Sequence, residues 1–266
     1  MSENKFRQAL SEKRRLFGTH VNLTDHRVCE IVGHIGFDYI WIDMEHISTD
    51  FKAMETHLIA AKAAGTPIMV RVTWNDIPSI KRVIEAGPDA IVVPMVNSVE
   101  EAKRAIDTCI YPPAGKRGFG PCRAIRYGID DTLEYIEHGS YELCRFLQVE
   151  TKDAVDAMDE VSKIPYMDGF IIGPMDLSGS VGELGHALEG DKTNRLVELA
   201  VEKARKNGKP IGLSTGSVDA AELTHWMSKG IDFISAGTDM WSIISGARSL
   251  LARMREVSDT VGYDRQ

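Results

Sequence analysis

Eight short apolar runs, alternating with segments of helical period, constrain this 266-residue chain more than any other feature. The runs are Phe17–Leu23, Tyr39–Asp43, Ile68–Val72, Ala90–Val96, Arg145–Glu150, Gly169–Gly173, Pro210–Ser214 and Phe233–Gly237. Between them, segments such as Phe51–Ala64, Ile77–Ala86, Val99–Thr108, Ala154–Lys163, Thr193–Asn207, Ala220–Lys229 and Ser242–Glu256 carry the apolar spacing of helices. Glycine stops at Ala64-Gly65, Ala86-Gly87, Asn207-Gly208 and Lys229-Gly230 fall where those helices should end. Strands separated by helices mean a parallel sheet, and eight of them in a chain this long predict a (β/α)8 TIM barrel. The rival is a doubly wound open sheet, which concentrates its site at one switch point. Here polar residues end most of the strands, which favours the barrel. Phe6 and Leu10, four apart in the polar stretch 2–14, predict a short N-terminal helix over one end. With no linker and no low-complexity tract, residues 1–266 read as a single domain.

Charge narrows the partners. Thirty-nine acidic residues against 31 Lys and Arg leave −8, so no basic face is offered to nucleic acid or to a membrane surface. Cys29, Cys109, Cys122 and Cys144 are scattered without metal-ligand spacing and read as thiols in a reducing compartment. No run has the length of a membrane span and no signal peptide is evident, so a cytoplasmic location is expected.

The chemistry gathers at strand ends. The run Phe146–Val149 closes in Glu150, and Phe170–Ile172 is followed through Gly173-Pro174-Met175 by Asp176. A parallel strand buried on both faces is continuously apolar, so an acid at its carboxyl end sits where the sheet opens to solvent. One strand–helix–strand unit would set Glu150 and Asp176 side by side, a donor pair suited to a hard divalent cation with open positions for substrate. The second strand ends in Asp43-Met-Glu45-His46 and the third carries Arg71. Each has a plainer reading. Asp43, Glu45 or Glu150 could cap the following helix. Arg71 could make a structural salt bridge to Glu45 or Glu150, and His46 could be a structural histidine. No lysine lies in any of the eight runs, so a Schiff-base mechanism has no nucleophile. Gly115–Gly120 lacks the GK[ST] of a phosphate-binding loop. Two long connections, Cys109–Gly128 and Met175–Asp191, are both expected at the end of the barrel that builds its site.

Six pieces in order, GFDYIWIDMEH (36–46), VRVTWND (70–76), IVVPMV (91–96), YPPAGKRGFGP (111–121), QVET (148–151) and GFIIGPMDLS (169–178), resemble the HpcH/HpaI family of class II, metal-dependent pyruvate aldolases. The resemblance implies reversible cleavage of a 4-hydroxy-2-oxo acid to pyruvate and an aldehyde through a metal-stabilised pyruvate enolate. It implies Glu150 and Asp176 as ligands of a divalent metal, Mg or Mn first, with Co or Zn able to substitute. Gln148, Gly173 and the backbone at Met175 and Asp176 are implied contacts of the pyruvyl oxygens. Arg71 is implied at the keto oxygen and His46 in proton transfer, with Asp43 and Glu45 supporting. Glu85 stands where the family often has an aspartate paired with that histidine; placed late in its helix, it would reach a His46 site only across a subunit contact. Arg123 and Arg126 are candidates for an acidic aldehyde tail. A homohexamer, a trimer of dimers exchanging the last helix, is also implied. The alternatives are oxaloacetate decarboxylation, an acyl-CoA lyase of the citrate or malyl-CoA lyase type, and a non-catalytic barrel that binds a 2-oxo acid.

Overall fold

A computed structural model describes residues 4–12 and 14–262. Its eight strands are all parallel and close in sequence order into a barrel. They are β1 (Leu16–Val21), β2 (Tyr39–Asp43), β3 (Ile68–Arg71), β4 (Ala90–Val93), β5 (Cys144–Val149), β6 (Gly169–Ile172), β7 (Ile211–Thr215) and β8 (Phe233–Thr238). The register Leu16↔Phe233 and Phe17↔Ile234 between β1 and β8 shuts the ring. The open-sheet rival is thereby excluded.

Helices α2 (His26–Ile35), α3 (Phe51–Ala64), α4 (Ile77–Ala86), α5 (Val99–Cys109), α7 (Lys152–Val161), α9 (Asp191–Lys206) and α10 (Ala220–Ser228) surround it. Their starts are fixed by short polar side chains that accept from otherwise unpaired N–H groups: Asp50 for α3, Asp76 for α4, Ser98 for α5 and Thr151 for α7. The cap of α3 is therefore neither Asp43 nor Glu45, and that of α7 is not Glu150. The plainer reading of all three acids fails on this point.

The barrel interior is filled from below. Helix α1 (Lys5–Ser11) inserts Phe6, fully buried, among Tyr39, Phe146 and Phe233, with ring centroids 5.1, 5.9 and 5.8 Å away. Asn4 ties this plug down by donating to the carbonyls of Asp89 and Glu142 at 2.7 and 2.8 Å. The predicted N-terminal helix is thus present over Lys5–Ser11, while residues 2, 3 and 13 of the expected span lie outside the described residues. Small residues make room inside: a Cβ on Gly212 would meet the Phe233 ring at 2.1 Å.

Two expectations about loops change. The Cys109–Gly128 connection follows helix α5 and leads toward β5, so within its own barrel it lies at the amino ends of the strands, not at the site end. A helix runs antiparallel to its strand, and whatever follows the helix returns to the opposite face. The segment Met175–Asp191 is partly helical, as α8 (Pro174–Ser180), with proline in its first turn. Between α5 and β5 sits a further short helix, α6 (Thr132–Glu137).

The last helix, α11 (Asp239–Val261), is longer than the expected Ser242–Glu256 and packs differently from the rest. Asp239 is its only buried residue, receiving N–H bonds from Asn22 and Leu23 at 3.0 and 2.9 Å. Beyond that turn it leaves Ile243, Leu250, Met254 and Val257 exposed. Among the described residues no helix is long and apolar enough to cross a membrane.

Candidate active site

The carboxyl ends of β2, β3, β5 and β6 converge on one ionic cluster. Asp43 ends β2 and Arg71 ends β3, in register as direct neighbours. Arg71 grips Asp43 with two bonds, Nε to Oδ1 at 3.0 Å and Nη2 to Oδ2 at 2.5 Å. Its remaining nitrogen, Nη1, reaches Glu45 Oε2 at 3.1 Å and Gln148 Oε1 at 3.3 Å. The bidentate geometry fixes the plane of the guanidinium. Gln148, on β5, in turn donates through Nε2 to Glu150 Oε2. The other oxygen of Glu150 accepts the Met95 N–H at 2.5 Å, just past the end of β4.

The electrostatics divide the carboxylates. Burial works against ionisation of Asp43, but the hydrogen bonds and charge of Arg71 outweigh it, and its pKa lies below the ordinary value. Burial pushes Glu45 up to about 7, with the charges of Glu150, Asp43 and Asp176 adding to the rise and Arg71 opposing it. Burial likewise raises Glu150, with Asp176 contributing in the same direction. His46 is open to solvent, its side chain 60% exposed, with Nε2 3.7 Å from Glu45 Oε2. The sequence suggested Glu45 or Glu150 as the partner of Arg71. The chief partner is Asp43, with Glu45 second.

Gly173 separates Glu150 from Asp176. A Cβ built on it would lie 3.4 Å from Gln148 Nε2 and 3.7 Å from both Asp176 Oδ2 and the Glu150 Cβ. The missing side chain leaves a gap bordered by both acids. Asp176 stands in the first turn of α8, where backbone N–H groups lack intrahelical partners. Among the described residues no group of three or more His, Cys, Asp or Glu side chains is arranged to hold a metal. The donor set here is two carboxylates, which fits a hard cation whose other positions go to water and substrate oxygens. The charge of Asp176 adds to the rise that burial imposes on Glu150, and a cation in the gap would offset both.

Of these groups Asp43, His46, Arg71, Gln148, Gly173 and Asp176, together with Met175, line a cavity of about 470 Å³. A larger cavity, about 820 Å³, lies between α3, α4 and the amino ends of β4 and β5. It lacks the converging acids, and barrel chemistry belongs to the carboxyl ends, so the smaller cavity is the candidate site. Glu85 is elsewhere: it sits on α4 near Lys81, with Oε1 3.9 Å from Nζ and 3.1 Å from a Cβ built on Gly120. Arg123 and Arg126 line the larger cavity instead. Arg123 donates to the Ala86 carbonyl at 2.7 Å and Arg126 pairs with Asp130. Within one subunit neither is near an aldehyde at the site.

Sequence reasoning passed over the opposite wall of the cavity: His20, Asn22, Ser214, Ser217, Glu222 and Trp226. The signal was present in His20, a polar residue inside the first apolar run, and in the Ser-Thr-Gly-Ser that closes the seventh.

A closed parallel barrel with one acid just past the end of β5, another in the helical turn that follows β6, and a buried arginine on β3 defines the class: a carboxyl-end barrel enzyme built for oxyanion chemistry. The chain belongs to the HpcH/HpaI aldolase/citrate lyase family, whose profile matches residues 16–246. It is 31% identical over 252 residues to a hydroxypyruvate/pyruvate aldolase of Roseovarius nubinhibens, covering 95% of this chain and 97% of that one. It is 30% identical over 251 residues to a 4-hydroxy-2-oxo-heptane-1,7-dioate aldolase of Escherichia coli, covering 94% and 95%. Among solved structures, an HpcH/HpaI aldolase from Desulfitobacterium hafniense superposes with a TM-score of 0.84 at 25% identity, covering 94% of this chain and 96% of that one.

Proposed function

We propose that this chain is a divalent-metal-dependent aldolase that reversibly cleaves a 4-hydroxy-2-oxo acid to pyruvate and an aldehyde. It is an enzyme, a carbon–carbon lyase, as its relatives are named. The observation that carries the metal-dependent reading is the approach of Glu150 and Asp176 around a side-chain-free Gly173, next to a guanidinium held in a fixed plane. Glu150 and Asp176 would hold the cation, Mg or Mn given the all-oxygen donors. Bound there, it supplies Lewis-acid polarisation of the 2-oxo acid.

The remaining roles belong to the chain's own groups. Arg71, held by Asp43, presents positive charge where the keto oxygen gains negative charge, without reorganising during the reaction. Gln148, clamped between Arg71 and Glu150, orients the carboxylate end of the substrate together with the backbone at Gly173, Met175 and Asp176. His46 takes the 4-hydroxyl proton as the C3–C4 bond breaks. Glu45, poised near neutrality beside it, shares that proton. Glu85, which lies outside the cavity of its own barrel, acts on a neighbouring subunit's histidine.

We read the chain as one domain working in the cytoplasm on small molecules, with no nucleic-acid or membrane partner. It assembles as a homo-oligomer, a hexamer of three dimers that exchange α11. The exposed apolar residues of that helix support the assembly, because a second copy of the chain would cover them. The deciding experiment is pyruvate release from a panel of 4-hydroxy-2-oxo acids before and after exhaustive chelation. Release that stops on chelation and returns with Mg or Mn supports the proposal; undiminished release would reject the metal.

A further inference from the structure

The cavity has a second wall to which the chemistry above gives no task. It is formed by His20 on β1, Ser214 and Thr215 on β7, and Glu222 and Trp226 on α10. The hydrogen positions follow from the partners. The Gly237 carbonyl can only accept, so His20 Nδ1 carries the proton across 2.8 Å. Burial holds the His20 pKa below its ordinary value, so the ring is neutral and Nε2 is a lone pair. Ser214 Oγ, 2.9 Å away, therefore donates to it. With its hydrogen committed, Ser214 has only lone pairs left for a ligand. Glu222 behaves alike. Thr215 Oγ1 at 2.9 Å and Trp226 Nε1 at 3.2 Å both donate to Glu222 Oε1, fixing the carboxylate and leaving its other oxygen outside these bonds.

This wall accepts hydrogen bonds and carries negative charge. Arg71 is the only arginine or lysine among the residues lining the cavity, and it is engaged by Asp43, Glu45 and Gln148. Within one subunit, an aldehyde ending in a carboxylate would meet Glu222 with no unengaged arginine or lysine of the cavity lining to receive it. An aldehyde bearing hydroxyls would find acceptors waiting.

We infer that this wall binds the aldehyde fragment and selects small, neutral, hydroxylated aldehydes over those ending in a carboxylate. The inference rests on the aldolase reading. The rejection of acids comes from a repulsive group, Glu222, and the preference for hydroxyls from Ser214. It would set this chain apart from the Escherichia coli relative named for a dioate substrate.

The test is the ratio of kcat/KM for addition of pyruvate to glyceraldehyde and to succinic semialdehyde, with Mg or Mn present. Wild type is expected to favour glyceraldehyde by roughly tenfold or more. Glu222→Gln keeps an acceptor for Thr215 and Trp226 while removing the charge. It should lower KM for succinic semialdehyde and shrink the ratio by about tenfold. Ser214→Ala should weaken glyceraldehyde selectively. A wild-type preference for succinic semialdehyde overturns the inference, as does a ratio unchanged in both variants or an equal loss for both aldehydes. Deuterium exchange at the pyruvate methyl group needs no aldehyde and separates the two levels. Exchange with the wrong ratio removes only the aldehyde selectivity, whereas no exchange in the metal-loaded wild type removes the aldolase reading and this inference together.

Discussion

The two ends of one barrel are built on opposite principles. At the amino end Phe6, Tyr39, Phe146 and Phe233 meet edge to face around a fully buried ring. At the carboxyl end strands β2 and β3 stop in Asp43 and Arg71, and β5 is followed one residue on by Glu150, each less than a tenth exposed yet all ionisable. Aromatic packing is worth most where water is excluded and nothing must move. Buried charge contributes little net stability, and removing one partner is costly. The comparison teaches that the lower end holds the barrel closed, and that the upper end keeps charges the fold does not need.

The sharpest way to break this division is at the plug. Phe6→Ala should cost about 3–5 kcal/mol in urea unfolding while leaving the turnover of the folded fraction near wild type. A large fall in turnover there would show that the two ends are coupled.

Arg71→Lys is the converse. It keeps a cation for Asp43 and Glu45 but loses the bidentate fork, and turnover should fall by ~3–4 kcal/mol, roughly a hundredfold or more. Retained near-UV circular dichroism would locate the loss in the chemistry rather than the fold.

Glu45 sharpens the contrast through pH. Its folded pKa, about 7, lies above the ordinary 4.5. A raised carboxyl contributes stability that is fully present below the unfolded pKa and lost as pH rises through the folded one. In metal-free protein, wild type should therefore lose up to about 3 kcal/mol relative to Glu45→Gln as pH climbs from the unfolded pKa to the folded one. The difference should then level off. Parallel stability curves for the two proteins would contradict the assignment. The smallest effect is expected at Asp50, which accepts the Ala53 N–H at 2.8 Å and stands outside the site. Asp50→Ala should cost about 1 kcal/mol in thermal unfolding and leave turnover untouched.

Most of the barrel was legible because burial on both faces writes parallel strands as unbroken apolar runs, which bring each terminal acid into relief. Glu150, one residue past β5, stands out in this way, and Asp176 follows β6 after a short turn. The pairing of Arg71 with Asp43 was not legible, since one-to-one register between β2 and β3 is a tertiary fact that no local pattern encodes. The Cys109–Gly128 loop lies at the opposite end from the one its length suggests, because it follows helix α5 and not a strand. Helix α8 was hidden by the Gly and Ser of GPMDLSGS, which weaken the helical signal. The wall of His20, Ser214 and Glu222 is hidden for a related reason: single polar residues on β1 and, about two hundred positions on, on β7 and α10 gain meaning only when the ring closes.

The account stands or falls on what Glu150 and Asp176 hold. Anomalous scattering from crystals soaked with Mn and pyruvate addresses this directly. The account predicts a peak within bonding distance of both carboxylates, beside Gly173 and next to Arg71, which disappears in Glu150→Gln. Strong Mn density elsewhere, with these two side chains turned apart and pyruvate bound without metal, would contradict it.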